Sequence, residues 1–196
     1  MIDEVDGMMP LKSIKYGIRG TDVHYPDSSL ICLENAHGSG KVLPLDYMKS
    51  VYELAKENNL KVHLDGARLF NAATFLKVDA SEICQYVDSV TFCLSKGLAS
   101  PIGSVICASK EFIHKARRGR KMLGGGMRQV GILGAAGLIS LNEMTKRLDE
   151  DHKNAKYLAD KLQQIKEIEV DYNSLDINMV FIKSNLDFMD LADFLY

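Results

Sequence analysis

Two short runs hold the side chains best suited to chemistry. Residues 62–68 read Val-His-Leu-Asp-Gly-Ala-Arg and put Asp65 at the end of an apolar stretch. Residues 88–97 read Asp-Ser-Val-Thr-Phe-Cys-Leu-Ser-Lys-Gly and put Lys96 just after a second one. An amine and a carboxylate, each emerging from the end of a buried-looking strand, are the two partners that pyridoxal phosphate needs. The amine holds the cofactor's aldehyde as a Schiff base, and the carboxylate keeps the ring nitrogen protonated so that the ring accepts electrons. Taken alone, Lys96 is equally a surface lysine in a strand-to-loop turn. Asp65 is equally a loop or N-cap carboxylate ahead of a helix, and Arg68 a surface ion-pair partner.

The elements that must position these groups follow from periodicity. Residues 30–34 are mostly apolar, as expected of a strand covered on both faces in a parallel sheet. A helix is expected over 45–59, where Leu45, Met48, Val51, Tyr52 and Ala55 share one face, Pro44 stands at the start and Asn58-Asn59 at the end. Strands follow at 61–65, 89–93 and 103–108, with a short helical piece near 81–86. Strands alternating with helices predict an α/β fold whose ligands gather outside the carboxyl ends of the strands, where Asp65 and Lys96 would emerge. Helices are expected next at 110–120, 129–144 and 148–164. Two strands at 168–170 and 179–182 and a last helix from about Asp187 complete the reading. A boundary at 144–149 divides the chain into a large part, 1–146, and the start of a small α/β domain, 147–196.

Composition narrows the function classes. The chain has 196 residues, 46% of them hydrophobic and 26% charged, enough for one good core, and a net charge of −2 gives no electrostatic case for nucleic acid or an anionic membrane. The longest apolar run, 131–141, falls short of the ~18 residues that a membrane span needs. Cys32, Cys84, Cys93 and Cys107 lie singly and read as reduced core residues of a cytoplasmic protein. The five histidines show no metal-ligand spacing, so no metal is implied.

Two further places could take part. His37 lies between a strand end and the glycine-rich 38–40 turn, where a lone histidine is either solvated or an acid–base group. Arg117, Arg118, Arg120, Lys121 and Arg128 surround Gly124, Gly125 and Gly126, a basic rim on a loop rich in backbone amides and suited to an anion such as the cofactor phosphate. The helix beyond it, with Gly134, Ala135, Ala136 and Gly137, reads as tightly packed.

Four blocks in order, Cys32-Leu-Glu-Asn-Ala-His37 with Lys41-Val-Leu-Pro-Leu45, His63 to Asn71, Leu94 to Ser104, and Arg120 to Gln129, together resemble the low-specificity threonine aldolases. The resemblance implies the fold type I, aspartate aminotransferase-like architecture of pyridoxal-phosphate enzymes. It also implies cleavage of L-threonine or L-allo-threonine to glycine and acetaldehyde, and a homo-oligomer, dimer or tetramer. It implies roles as well: Lys96 holds the cofactor and then moves protons, and Asp65 pairs with the ring nitrogen. Arg68 would lie near the phenolate oxygen and the substrate carboxylate, His37 over the substrate hydroxyl, and Lys121 and Arg128 would reach a neighbouring subunit's cofactor. Members of this family normally have sequence before and after the part present here, including a phosphate loop, a histidine stacked on the ring and an arginine for the substrate carboxylate. None of these has a match, so the chain reads as a middle piece. An inactive fragment and a β-eliminating lyase on the same fold are the alternatives. Ala99-Ser100 replaces the Gly-Ala expected of the family, a departure that could alter the fit of the Lys96 loop.

Overall fold

The computed structural model describes residues 4–20 and 22–184. Its centre is a four-stranded sheet in the order β1 (Leu30–Glu34), β2 (Lys61–Asp65), β3 (Ser89–Cys93) and β4 (Ser104–Ala108). The first three strands run parallel, with Glu34 opposite Asp65 and Asp65 opposite Thr91. β4 is antiparallel to β3, with Cys93 opposite Ser104. The ends of β1, β2 and β3 and the start of β4 therefore share one rim.

Parallel neighbours need crossovers, and helices supply them. α1 (Leu11–Gly17) precedes β1; α2 (Leu45–Glu57) joins β1 to β2; α3 (Leu69–Leu76) and α4 (Ala80–Cys84) join β2 to β3. Met48, Val51 and Ala55 of α2 are fully buried, while Leu45 and Tyr52 pack partly buried on the same core, so the expected face is the observed one. Each large apolar side chain removed from water contributes at most about 1.5–3 kcal/mol. Asn59 ends α2 in the left-handed region (φ 56°), which asparagine tolerates better than most residues.

Two expectations are corrected by the structure, and one helix is additional. β1 is covered on one face only: Ile31 and Leu33 are buried, but Leu30 and Cys32 are exposed, and β2 beside it repeats the alternation, with Val62 and Leu64 buried and Lys61 and Asp65 exposed. The cysteines are free, as read, but none belongs to the buried core, and Cys32 and Cys107 are exposed. α1 was not foreseen; seven residues are too few for a helical period to show, and it is held by burial of Ile14 against the core.

After β4 the chain becomes helical. α5 (Lys110–Met122) is capped by Ser109, whose Oγ accepts from the Phe112 N–H at 3.3 Å. α6 (Gly131–Asn142), a 3₁₀ turn (Met144–Lys146) and α7 (Leu148–Leu162) follow. α6 is packed on one side only. Gly137 and Ser140 are buried, whereas Ile132, Leu138 and Ile139 are 83%, 62% and 56% exposed, so the tightly packed helix read from its small residues has an open apolar face.

β5 (Ile168–Val170) and β6 (Ile182–Ser184) form a separate antiparallel pair, with a 3₁₀ turn (Tyr172–Ser174) between them. The second strand lies later than 179–182 because the residues before it turn toward the large sheet: Ile177 is buried in the main core and Met179 packs against it. The helix expected from about Asp187 lies outside the described residues. Among the described residues no helix is long and apolar enough to cross a membrane.

Candidate active site

Asp65 is the last residue of β2, and the backbone around it is tied to both neighbours. Its carbonyl accepts from the Asn35 N–H at 2.9 Å, and the next N–H, of Gly66, donates to the Thr91 carbonyl at 2.7 Å. The carboxylate points out at the rim, where Oδ1 accepts from the Ala67 N–H at 3.0 Å. Oδ2 has no hydrogen bond among the described residues. Since α3 starts only at Leu69, Asp65 is not its N-cap; Arg68 takes that position without a side-chain bond. Arg68 is half-buried as a residue, and its guanidinium has no ion-pair partner among the described residues.

Lys96 lies in the connection of residues 94–103 between β3 and β4. Because β4 reverses, both feet of this loop stand on adjacent strands, closed by Leu94 N–H donating to the Gly103 carbonyl at 2.9 Å. Inside it, the Ala99 N–H donates to the Lys96 carbonyl at 2.8 Å and the Ser100 N–H to the Leu94 carbonyl at 3.0 Å. Leu98 and Ser100 point down and are buried, and Ser100 Oγ lies 2.7 Å from Ser140 Oγ of α6. Ala99 takes φ 57°, a conformation that favours glycine. Lys96 itself is exposed, and its ammonium has no partner among the described residues.

His37 follows β1 at the same rim, two strands from β3 and so roughly 10 Å across the sheet from it. Its loop is held by buried Asn35, whose carboxamide donates to the Leu43 carbonyl at 3.1 Å and accepts from the Leu43 N–H at 3.0 Å. Both ring nitrogens are engaged. Nδ1 receives the Ser39 N–H at 3.2 Å and lies 2.8 Å from Ser39 Oγ. A backbone N–H only donates, so the neutral ring carries its proton on Nε2, which faces Glu4 Oε1 at 3.0 Å and Glu34 Oε2 at 3.7 Å. Gly7 packs over the ring; a β-carbon there would stand 2.8 Å from His37 Cγ.

The basic loop is set apart from these groups. Arg117 and Arg120 of α5 line a cavity with Ser104, Val105 and Ile106, which brings that end of α5 beside the rim end of β4. Lys121 and Arg128 are exposed, and no hydrogen bond or ion pair joins them to Asp65 or Lys96. Gly124 to Gly126 lie between two helices and do not open one directly, since α6 begins at Gly131.

Residues that sequence reasoning missed stand around the rim. Glu4 was passed over because nothing local links it to His37. Asn71, buried on α3, has its Nδ2 3.2 Å from His152 Nε2 and 3.3 Å from Asn178 Oδ1, partners 81 and 107 residues away. Burial pushes the His152 imidazole below its usual value, with Asp151 and Asp149 opposing. Among the described residues no group of three or more His, Cys, Asp or Glu could hold a metal ion.

Residues 1–185 match the family model described as beta-eliminating lyase. The chain belongs to the beta-eliminating lyase family. Within it, the chain is 47% identical over 184 residues to the probable low-specificity L-threonine aldolase 2 of Arabidopsis thaliana, covering 92% of this chain and 52% of that protein. It is 46% identical over 178 residues to the low specificity L-threonine aldolase of Escherichia coli K12, covering 91% and 52%. The chain thus spans about half the length of the curated relatives it matches. A crystal structure from an Exiguobacterium species, described as a putative aromatic amino acid beta-eliminating lyase/threonine aldolase, superposes with a TM-score of 0.83 at 22% identity, over 98% of this chain and 53% of that one. These likenesses bear out the fold type I architecture and the resemblance to the low-specificity threonine aldolases.

Proposed function

We propose that this family member contributes to a pyridoxal-phosphate-dependent aldolase that cleaves L-threonine or L-allo-threonine to glycine and acetaldehyde. The observation that carries the reading is the placement of Asp65 and the Lys96 loop at the carboxyl ends of adjacent, hydrogen-bonded strands, in a chain 46–47% identical to threonine aldolases. The donor set fits the cofactor: a primary amine and a guanidinium without ion-pair partners among the described residues, and a carboxylate with one oxygen uncommitted.

Lys96 would hold the cofactor aldehyde through Nζ, Asp65 would accept the N–H of the protonated ring, and Arg68 would approach the phenolate oxygen and the substrate carboxylate. When bound, pyridoxal phosphate would supply an electron sink for the charge left on the substrate α-carbon. Lys96, once released, would carry protons at Nζ. His37 would orient the substrate hydroxyl by donating its Nε2 proton to the hydroxyl oxygen, exchanging its contact with Glu4. Lys121 and Arg128 would serve a neighbouring copy, and the open apolar face of α6 suits such a homo-oligomer, dimer or tetramer. The domain division near residue 146 and a cytoplasmic location, which suits four free thiols, belong to the same proposal.

The test is an absorbance titration with pyridoxal phosphate, borohydride trapping and mapping of the modified lysine. Trapping on Lys96, followed by acetaldehyde release from either threonine diastereomer, is the expected result. Trapping elsewhere, or spread over surface lysines, would reject the assignment of the site.

A further inference from the structure

Asn71 stands one turn beyond Arg68 with its side chain buried, and it meets segments far apart in sequence. Its Nδ2 faces His152 of α7 at 3.2 Å and donates to Asn178 at 3.3 Å. The residue next to Lys96 lies against the same amide. A β-carbon at Gly97 would stand 3.2 Å from Asn71 Oδ1 and 3.1 Å from Leu148 Cδ2, so Gly97 sits in a niche walled by an amide and a fully buried leucine.

The amide wall has a defined orientation. An amide N–H₂ donates, so His152 Nε2 accepts and the ring is neutral, as its burial favours. Asn178 takes the second proton. Packing one apolar side chain against Gly97 would fill the same space without direction, whereas hydrogen bonds fix angle as well as distance. We propose that Asn71, oriented by His152 and Asn178, is a positioning residue for Lys96: it seats Gly97 and so sets the direction in which the amine leaves the loop. Its catalytic consequence rests on the functional reading above, but the seating is measurable without cofactor.

Hydrogen exchange of residues 94–100 in the cofactor-free chain is the direct test. Asn71→Ala should exchange about tenfold faster there, with residues 30–34 and 61–65 unchanged. His152→Leu should do the same, while His152→Gln, whose side-chain oxygen still accepts from Asn71, should keep the slow rate. The His152 pair decides the matter if Asn71→Ala does not fold. Unchanged exchange at 94–100, a rise spread evenly over the sheet, or identical behaviour of the Leu and Gln variants would overturn the proposal. With pyridoxal phosphate added, covalent attachment to Lys96 should slow about tenfold in His152→Leu and not in His152→Gln. Absence of attachment in the unaltered chain would count against the cofactor reading, while the exchange comparison would still decide the role of Asn71.

Discussion

The N–H of Gly66 donates to the Thr91 carbonyl at 2.7 Å, and a β-carbon on Gly66 would stand 2.8 Å from that same oxygen. The backbone that follows Asp65 is thereby pressed onto β3, the strand that leads to Lys96. No side chain fits between. Gly66→Ala should cost about 1–3 kcal/mol, because the contact is with backbone and cannot be relieved by a rotamer change. Urea unfolding would measure it, and an unchanged midpoint would show that the two strands are not held so closely.

Lys96 and Asp65 should fail in different ways. Lys96→Ala should abolish borohydride-trappable attachment of pyridoxal phosphate at that loop. Asp65→Asn should retain attachment but lose turnover, since a neutral amide does not favour the protonated ring. Absorbance and mass mapping on both variants, with an acetaldehyde assay, check this; equal behaviour of the two would contradict the assigned roles.

Ala99 holds φ 57°, where an L-residue is strained by about 1–2 kcal/mol. Ala99→Gly should relieve that strain at some cost in unfolded-chain entropy, for a net gain of roughly 0.5–1 kcal/mol. A rise in thermal midpoint is expected, and a fall would mean that the loop is not constrained as described.

Acid should weaken the far end of the sheet through Asp88. Burial works to raise its pKa, but the Val62 N–H at 2.9 Å, with the Lys61 and Lys56 ammoniums at 3.0 and 3.1 Å, outweighs it and leaves the carboxyl below its ordinary 3.8. A carboxyl whose folded pKa is depressed stabilises the fold above its unfolded value, and that stability is lost as pH falls through the folded value. Asp88→Asn should therefore be less stable than the parent at pH 7, and the gap should close below about pH 4. A gap independent of pH would exclude the linkage.

What the sequence revealed, and what it hid, has a physical pattern. β2, β3 and α2 were legible because each carries its own period and its own punctuation, Asp65-Gly66 and Asn58-Asn59 among them. β6 was placed too early because Val180 and Phe181 are as apolar as a strand, while it is the turn of Ile177 and Met179 toward the main core that decides where pairing begins. The exposure of Cys32 and of α6 was hidden for a similar reason: apolar composition does not say which neighbour is present to cover it. At the candidate site, Lys96, Asp65 and His37 sit in local motifs. Glu4, His152 and Asn178 reach it only through tertiary contacts, which no local pattern encodes.

The reversal of β4 carries a kinetic meaning. The Lys96 loop closes between two strands adjacent in sequence, so it can form as a local hairpin at little loop-closure cost. The parallel pairing that seats Asp65 against Thr91 closes a longer loop, with α3 and α4 between the strands, and so carries a larger closure cost. Loop-closure entropy thus favours forming the perch of the amine before the perch of the carboxylate, so the two halves of the candidate site differ in how local their folding is.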